Sequence, residues 1–123
     1  MGRPRQFEEA NAVDAAAAVF RQRGYTATSV DHLVDATGVH RGSLYGVFGS
    51  KLGLFLRVLD AANAPNADPA AQLEVILVGL LELAPGDPRV RGQIASIIRA
   101  KSITEQQLGA GLLARAGLPR ERN

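Results

Sequence analysis

Arg41-Gly42-Ser43-Leu44-Tyr45 places a long cation, two small residues and a phenol within five positions. The chemistry open to such a set is hydrogen-bond donation to anionic or acceptor-rich surfaces. A guanidinium pairs with phosphate or donates twice to guanine, and a serine donates to a phosphate or a base edge. Tyr45 carries its hydroxyl on a rigid ring, suited to a phosphate, while Gly42 leaves room for a close approach. Lys51 stands at the start of a further helix, where free N–H groups already favour an anion. Both histidines of the chain, His32 and His40, fall in the same region, and there is no cysteine. No Ser/His/Asp set, phosphate loop or metal cluster can be assembled from these residues, so neither an enzyme nor a cofactor or metal is expected.

These side chains need a scaffold, and the hydrophobic pattern supplies an all-α one. Val13, Ala16, Ala17 and Phe20 recur at helical spacing, which predicts a first helix from about Phe7 to Gln22, stopped by Gly24. Phe20 and Tyr25 belong to the core. A second helix follows Thr28, with Thr28 and Asp31 as its capping box and Val30, Leu33 and Val34 as its buried stripe. Gly38 ends it, Val39 plugs the turn, and His32 falls on its polar side. A short third helix spans about Arg41 to Phe48, with Leu44 and Phe48 inward. Ser50 caps a fourth, through about Asp60, presenting Leu52, Phe55, Leu56 and Leu59. Two short helices joined by a tight glycine turn after a longer helix describe a helix-turn-helix, whose second helix enters the major groove of DNA.

Phe20, then Gly24-Tyr25-Thr26-Ala27-Thr28-Ser29-Val30, Thr37-Gly38-Val39, Gly42-Ser43-Leu44-Tyr45 and Phe48-Gly49-Ser50-Lys51 together resemble the DNA-binding domain of the TetR family of regulators. The resemblance covers about residues 3 to 60. It implies a homodimer that sets two recognition helices in successive major grooves of a palindromic double-stranded operator, usually repressing until a small molecule binds the C-terminal part. It also assigns Thr28 to a phosphate through the second helix, Arg41, Gly42 and Ser43 to the groove, and Tyr45 and Lys51 to phosphates. Arg3 and Arg5 form a basic arm of the kind that reaches phosphates or the minor groove. Two positions depart from the family's habit. His40 stands where a serine cap is common, leaving it as a cap, a base reader or both. Gly46-Val47 replaces a bulkier pair, which lightens the base-reading end of the third helix.

The rest of the chain bounds these expectations. It has 123 residues, 46% apolar but only 5% aromatic, so the core rests on Ala, Leu, Val and Ile and gains from oligomerisation. A net charge of +2 supports nucleic-acid binding only weakly, so the placement of the charge carries the reading. Neither a signal peptide nor a membrane span is expected, which places the protein in the cytoplasm with the bacterial nucleoid. Residues 61–69 read as a linker. An apolar helix follows to Leu83, then a turn at Pro85–Pro88, a helix to about Ala100 bearing Val90, Ile94, Ile97 and Ile98, and a last helix from near Thr104. Arg89, Arg91, Arg99 and Lys101 read as a solvated face. The expected organisation is a DNA-binding domain over 1–48, a connecting helix over 49–61 and a helical dimerisation region over 62–123. Leu73, Ile76, Leu80 and Leu83 are the expected dimer contacts, with Gly79 allowing close approach of the partner. Any ligand pocket in so short a region should be small or shared between subunits. The competing reading is a helical interaction module that modulates related regulators without reading DNA.

Overall fold

The computed structural model describes residues 8–118. Arg3 and Arg5 lie outside the described residues. Among those described there are seven helices and no strand: α1 (Glu9–Arg23), α2 (Val30–Thr37), α3 (Arg41–Phe48), α4 (Lys51–Ala62), α5 (Pro69–Glu82), α6 (Pro88–Lys101) and α7 (Glu105–Arg115). No described helix is long and apolar enough to cross a membrane.

Local chemistry sets most of the boundaries. Gly24 ends α1 at φ 86°, and Gly38 ends α2 in the left-handed conformation, both costly for a residue with a Cβ. Ser50 accepts from the Gly53 N–H, Asp68 from the Ala71 N–H, and Thr104 closes a capping box with Gln107. Asp87 caps α6 with Pro88 in its first turn. The cap of α2 differs from expectation by one residue. It is Ser29, whose hydroxyl accepts from the His32 N–H at 3.1 Å, while His32 Nδ1 accepts from the Ser29 N–H at 3.0 Å. Thr28 is not free for that work, because its hydroxyl points inward and donates to the Gly24 carbonyl at 2.6 Å.

One hydrophobic cluster joins Ala12, Val13, Ala16 and Phe20 of α1 to Leu33, Leu44, Phe48 and the α4 residues Leu54, Phe55, Val58 and Leu59. The same cluster continues into Val75, Ile76 and Val78 of α5 and Val90, Ile94 and Ile97 of α6. The three segments read from the sequence therefore share a core.

The apolar helix α5 is covered largely by its own chain, which removes Ile76 and Gly79 from the residues expected to meet a partner. It packs against α1, α4, α6 and α7. Ile76 is fully buried inside this bundle, so it faces no partner. A Cβ at Gly79 would lie 2.7 Å from Ile94 Cδ1 and 3.4 Å from Phe55 Cε2, so the close approach there is that of α6 and α4. Leu73 is half-buried against α7, where a Cβ on Gly111 would meet its Cδ2 at 2.7 Å. Leu80 and Leu83 are half-buried at the edge of the core. The leucines that do face outward are Leu81, Leu112, Leu113 and Leu118. The cations of α6 are also less free than expected. Arg91 donates to the Ala84 carbonyl at 2.8 Å, and Lys101 donates to the Ala64 carbonyl at 2.9 Å.

Candidate nucleic-acid interface

Helix α3 is eight residues long and buries two of them, Leu44 and Phe48, on its inner side. Helical spacing then puts Gly42 and Gly46, four apart, on the opposite, outermost ridge, with Ser43 on one flank and Tyr45 on the other. Arg41, Gly42 and Gly46 are exposed, and Ser43 and Tyr45 are half-buried. The structure thus brings Arg41, Gly42, Ser43 and Tyr45 together on one short helix. Arg41 reaches back to Asp31 of α2 at 3.8 Å, with both side chains well exposed. An exposed pair of this kind is worth about 1 kcal/mol or less, so it positions the guanidinium without holding it against a stronger anion.

His40 caps α3, as one of its two sequence readings has it, with its ring accepting from the Ser43 N–H at 3.4 Å. Its other ring nitrogen stands 3.1 Å from the Ser43 hydroxyl. Of the remaining expected contacts, Thr28 is corrected: it is 1% exposed, and both its N–H and its hydroxyl bond within the turn that follows α1. Lys51 is half-buried, and its ammonium donates to the Tyr25 carbonyl at 3.1 Å and the Thr28 carbonyl at 2.9 Å while lying 4.4 Å from the centre of the Tyr25 ring. These two bonds leave one of the three ammonium donors for a phosphate.

A residue that the sequence reading missed holds the same turn from the other side. The Glu82 carboxylate, at the last position of α5, accepts from the Tyr25 N–H at 3.0 Å and the Thr26 N–H at 2.8 Å. The turn leading into α2 is thus gripped at its N–H groups by an anion and at its carbonyls by a cation. Burial pushes the Glu82 carboxyl up, but the Thr26 and Tyr25 hydrogen bonds and the charge of Arg115 outweigh it and hold the group below its usual range. Burial raises the Tyr25 hydroxyl, and Tyr45 and Asp87 add to the rise.

A depressed carboxyl contributes stability above its unfolded value, and that contribution is lost as pH falls through the folded value. Glu82→Gln, which keeps one acceptor and turns a donor toward the second N–H, is therefore expected to cost about 1 kcal/mol at neutral pH, discounted for solvent exposure. The gap between wild type and variant should close as the pH is lowered through the folded value, which urea melts at pH 7 and pH 3 would read. A gap unchanged by pH would contradict it.

A family model described as bacterial regulatory proteins, tetR family, matches residues 12–58, the stretch from α1 to α4 that carries this interface. Residues 12–58 are a tetR-family helix-turn-helix domain. Curated relatives agree over the same end of the chain. It is 44% identical over 72 residues to the HTH-type transcriptional repressor BdcR of Escherichia coli, covering 58% of this chain and 36% of that protein. It is 49% identical over 59 residues to the repressor ComR of the same organism, covering 48% and 28%. It is 43% identical over 56 residues to the activator FasR of Mycolicibacterium smegmatis, covering 46% and 26%. The chain thus spans well under half the length of these relatives. A solved structure of a cysteine mutant of the TetR-family regulator CifR, complexed with 26-bp double-strand operator DNA, superposes with a TM-score of 0.60 at 23% identity. It covers 98% of this chain and 93% of that one, which supports the all-helical fold of the chain throughout.

Proposed function

We propose that the chain is a sequence-specific regulator of transcription that binds double-stranded DNA through α3, a repressor acting as a homodimer on a palindromic operator. The observation that carries this reading is the outer ridge of α3. Each interior glycine costs a helix about 1 kcal/mol relative to alanine, and this eight-residue helix has two. Apart from its chain neighbours and the nearby backbone of α3, no described atom lies within 4 Å of a Cβ built on Gly46, and a Cβ on Gly42 would make only ordinary 3.6 Å contacts with the His40 ring. Internal packing does not ask for either glycine. A surface that must come close to that ridge does, and the floor of a major groove is such a surface. Arg41, Ser43 and Tyr45 supply donors around it.

The dimer is best supported by the outward leucines. Leu112 and Leu113 of α7, 40% and 44% exposed, offer an apolar face at the end of the chain opposite in sequence to α3. A groove of about 820 Å³ between the start of α5 and α7, lined by Gln72, Leu73, Gln107 and Gly111 among others, would take a small effector that releases the DNA.

Selection of bound duplexes from a random pool, with light scattering on the free and bound chain, tests the reading. A palindromic consensus bound by two copies is expected. Recovery of no consensus would refute DNA reading, and a one-to-one complex would refute the dimer. Gly46→Ala gives a sharper check, because its two effects should run in opposite directions. Thermal melts should show equal or greater stability, by up to about 1 kcal/mol. Mobility shifts on the selected duplex should show weaker binding. Improved stability with unchanged binding would place the groove elsewhere.

A further inference from the structure

We propose that His40 orients the Ser43 hydroxyl by donating to one of its lone pairs, which keeps the hydroxyl proton free for an acceptor on the DNA. The inference rests on the DNA-binding reading given above.

The geometry forces the direction of each bond. The Ser43 backbone N–H can only donate, and it meets His40 Nδ1 at 3.4 Å. Nδ1 therefore carries no proton. A neutral imidazole with a bare Nδ1 holds its proton on Nε2. That Nε2 stands 3.1 Å from Ser43 Oγ, so it donates and the hydroxyl accepts. A serine hydroxyl has one proton and two lone pairs. With one lone pair engaged by the ring, the second lone pair and the proton remain, and the proton is turned away from the ring toward another acceptor. One imidazole thus caps the helix with one nitrogen and orients a groove-facing side chain with the other.

The consequence concerns specificity. An unrestrained serine satisfies a donor or an acceptor equally well and discriminates poorly. A serine whose proton is not spent on the ring can give it to an acceptor, whether a phosphate oxygen or the O6 and N7 of guanine or O4 of thymine. Arg41, one residue after His40, is also a donor and never an acceptor. The first turn of α3 then presents the Arg41 guanidinium and the Ser43 proton as donors. The ring also lies beside Gly42, where a Cβ would touch Cε1 and Nδ1 at 3.6 Å.

His40→Asn isolates the effect. Asparagine is among the best N-caps, so the acceptor toward the Ser43 N–H is kept while the second ring nitrogen is lost. The full chain and a duplex selected from random DNA serve as probes, with circular dichroism confirming unchanged helix content. Ser43→Ala is expected to weaken binding about tenfold in the wild type, the worth of one hydrogen bond, and no more than about threefold in the His40→Asn background. If the acceptor is a base, His40→Asn also flattens the preference at one base-pair position. If it is a phosphate, a single methylphosphonate at one site abolishes the effect of Ser43→Ala with base preferences intact. Nitrogen NMR of the ring should show the proton on Nε2. A proton on Nδ1, or an equal effect of Ser43→Ala in both backgrounds, would overturn the role of His40. A wild type that selects no duplex would instead overturn the proposed function.

Discussion

Phe55→Ala is expected to remove about 3–5 kcal/mol of stability, the largest loss of any single truncation considered. The ring is fully buried and stands at a junction of three elements. It meets Phe20 of α1 edge-on with centroids 5.1 Å apart, and Tyr25 of the following turn edge-on at 5.4 Å. It also fills the space over Gly79 of α5. Aromatic side chains are few here, and three of the six are in this cluster. A domain of this size is typically stable by only about 5–15 kcal/mol, so the variant should approach unfolding at ambient temperature. Denaturant melts would measure it. A loss below about 1 kcal/mol would mean that the cavity collapses onto α5 and that the junction is not rigid.

Arg41→Ala is expected to weaken binding to a selected duplex about ten- to a hundredfold, or about 1–3 kcal/mol, while leaving stability nearly unchanged. The guanidinium is 65% exposed and its Asp31 partner 87%, so the chain itself gains little from it. Measurements across a salt series separate two modes of contact. Loss of a phosphate contact lowers the slope of log affinity against log salt by about one and weakens all sequences alike. Loss of a base contact leaves the slope and relaxes one position of the consensus. Unchanged affinity at every salt concentration would remove Arg41 from the interface.

The helices and their ends were largely legible in the sequence because their signals are local. Gly24, Gly38, Ser50 and Asp87 each act on backbone groups within a few residues, and helical periodicity needs no knowledge of the partner. The misplaced cap of α2 shows where that ends. Thr28 and Ser29 are both good caps in isolation, and only the inward hydrogen bond of Thr28 to Gly24 decides between them. The same holds for Lys51. Its position in the motif suggests an outward ammonium, but two carbonyls and a ring face lie within reach of it. For α5 the pattern was informative about burial and silent about what does the burying. Ile76 and Gly79 look alike on the page whether covered by α6 or by a second subunit. Glu82 carried no signal at all, because its partners are 56 and 57 residues earlier in the chain.

The grip of Glu82 on the turn after α1 has a consequence for how the molecule breathes. Backbone amides in a surface turn ordinarily exchange their hydrogens with solvent quickly, since nothing but water accepts them. Those of Tyr25 and Thr26 are covered by a carboxylate that belongs to α5. They should exchange slowly, and at a rate set by the opening of α5, not by the turn in which they sit. Glu82→Gln should speed them without altering the amides of α3. Two loop protons beside the helix-turn-helix thus become a clock for the undocking of a helix 57 residues away in the chain.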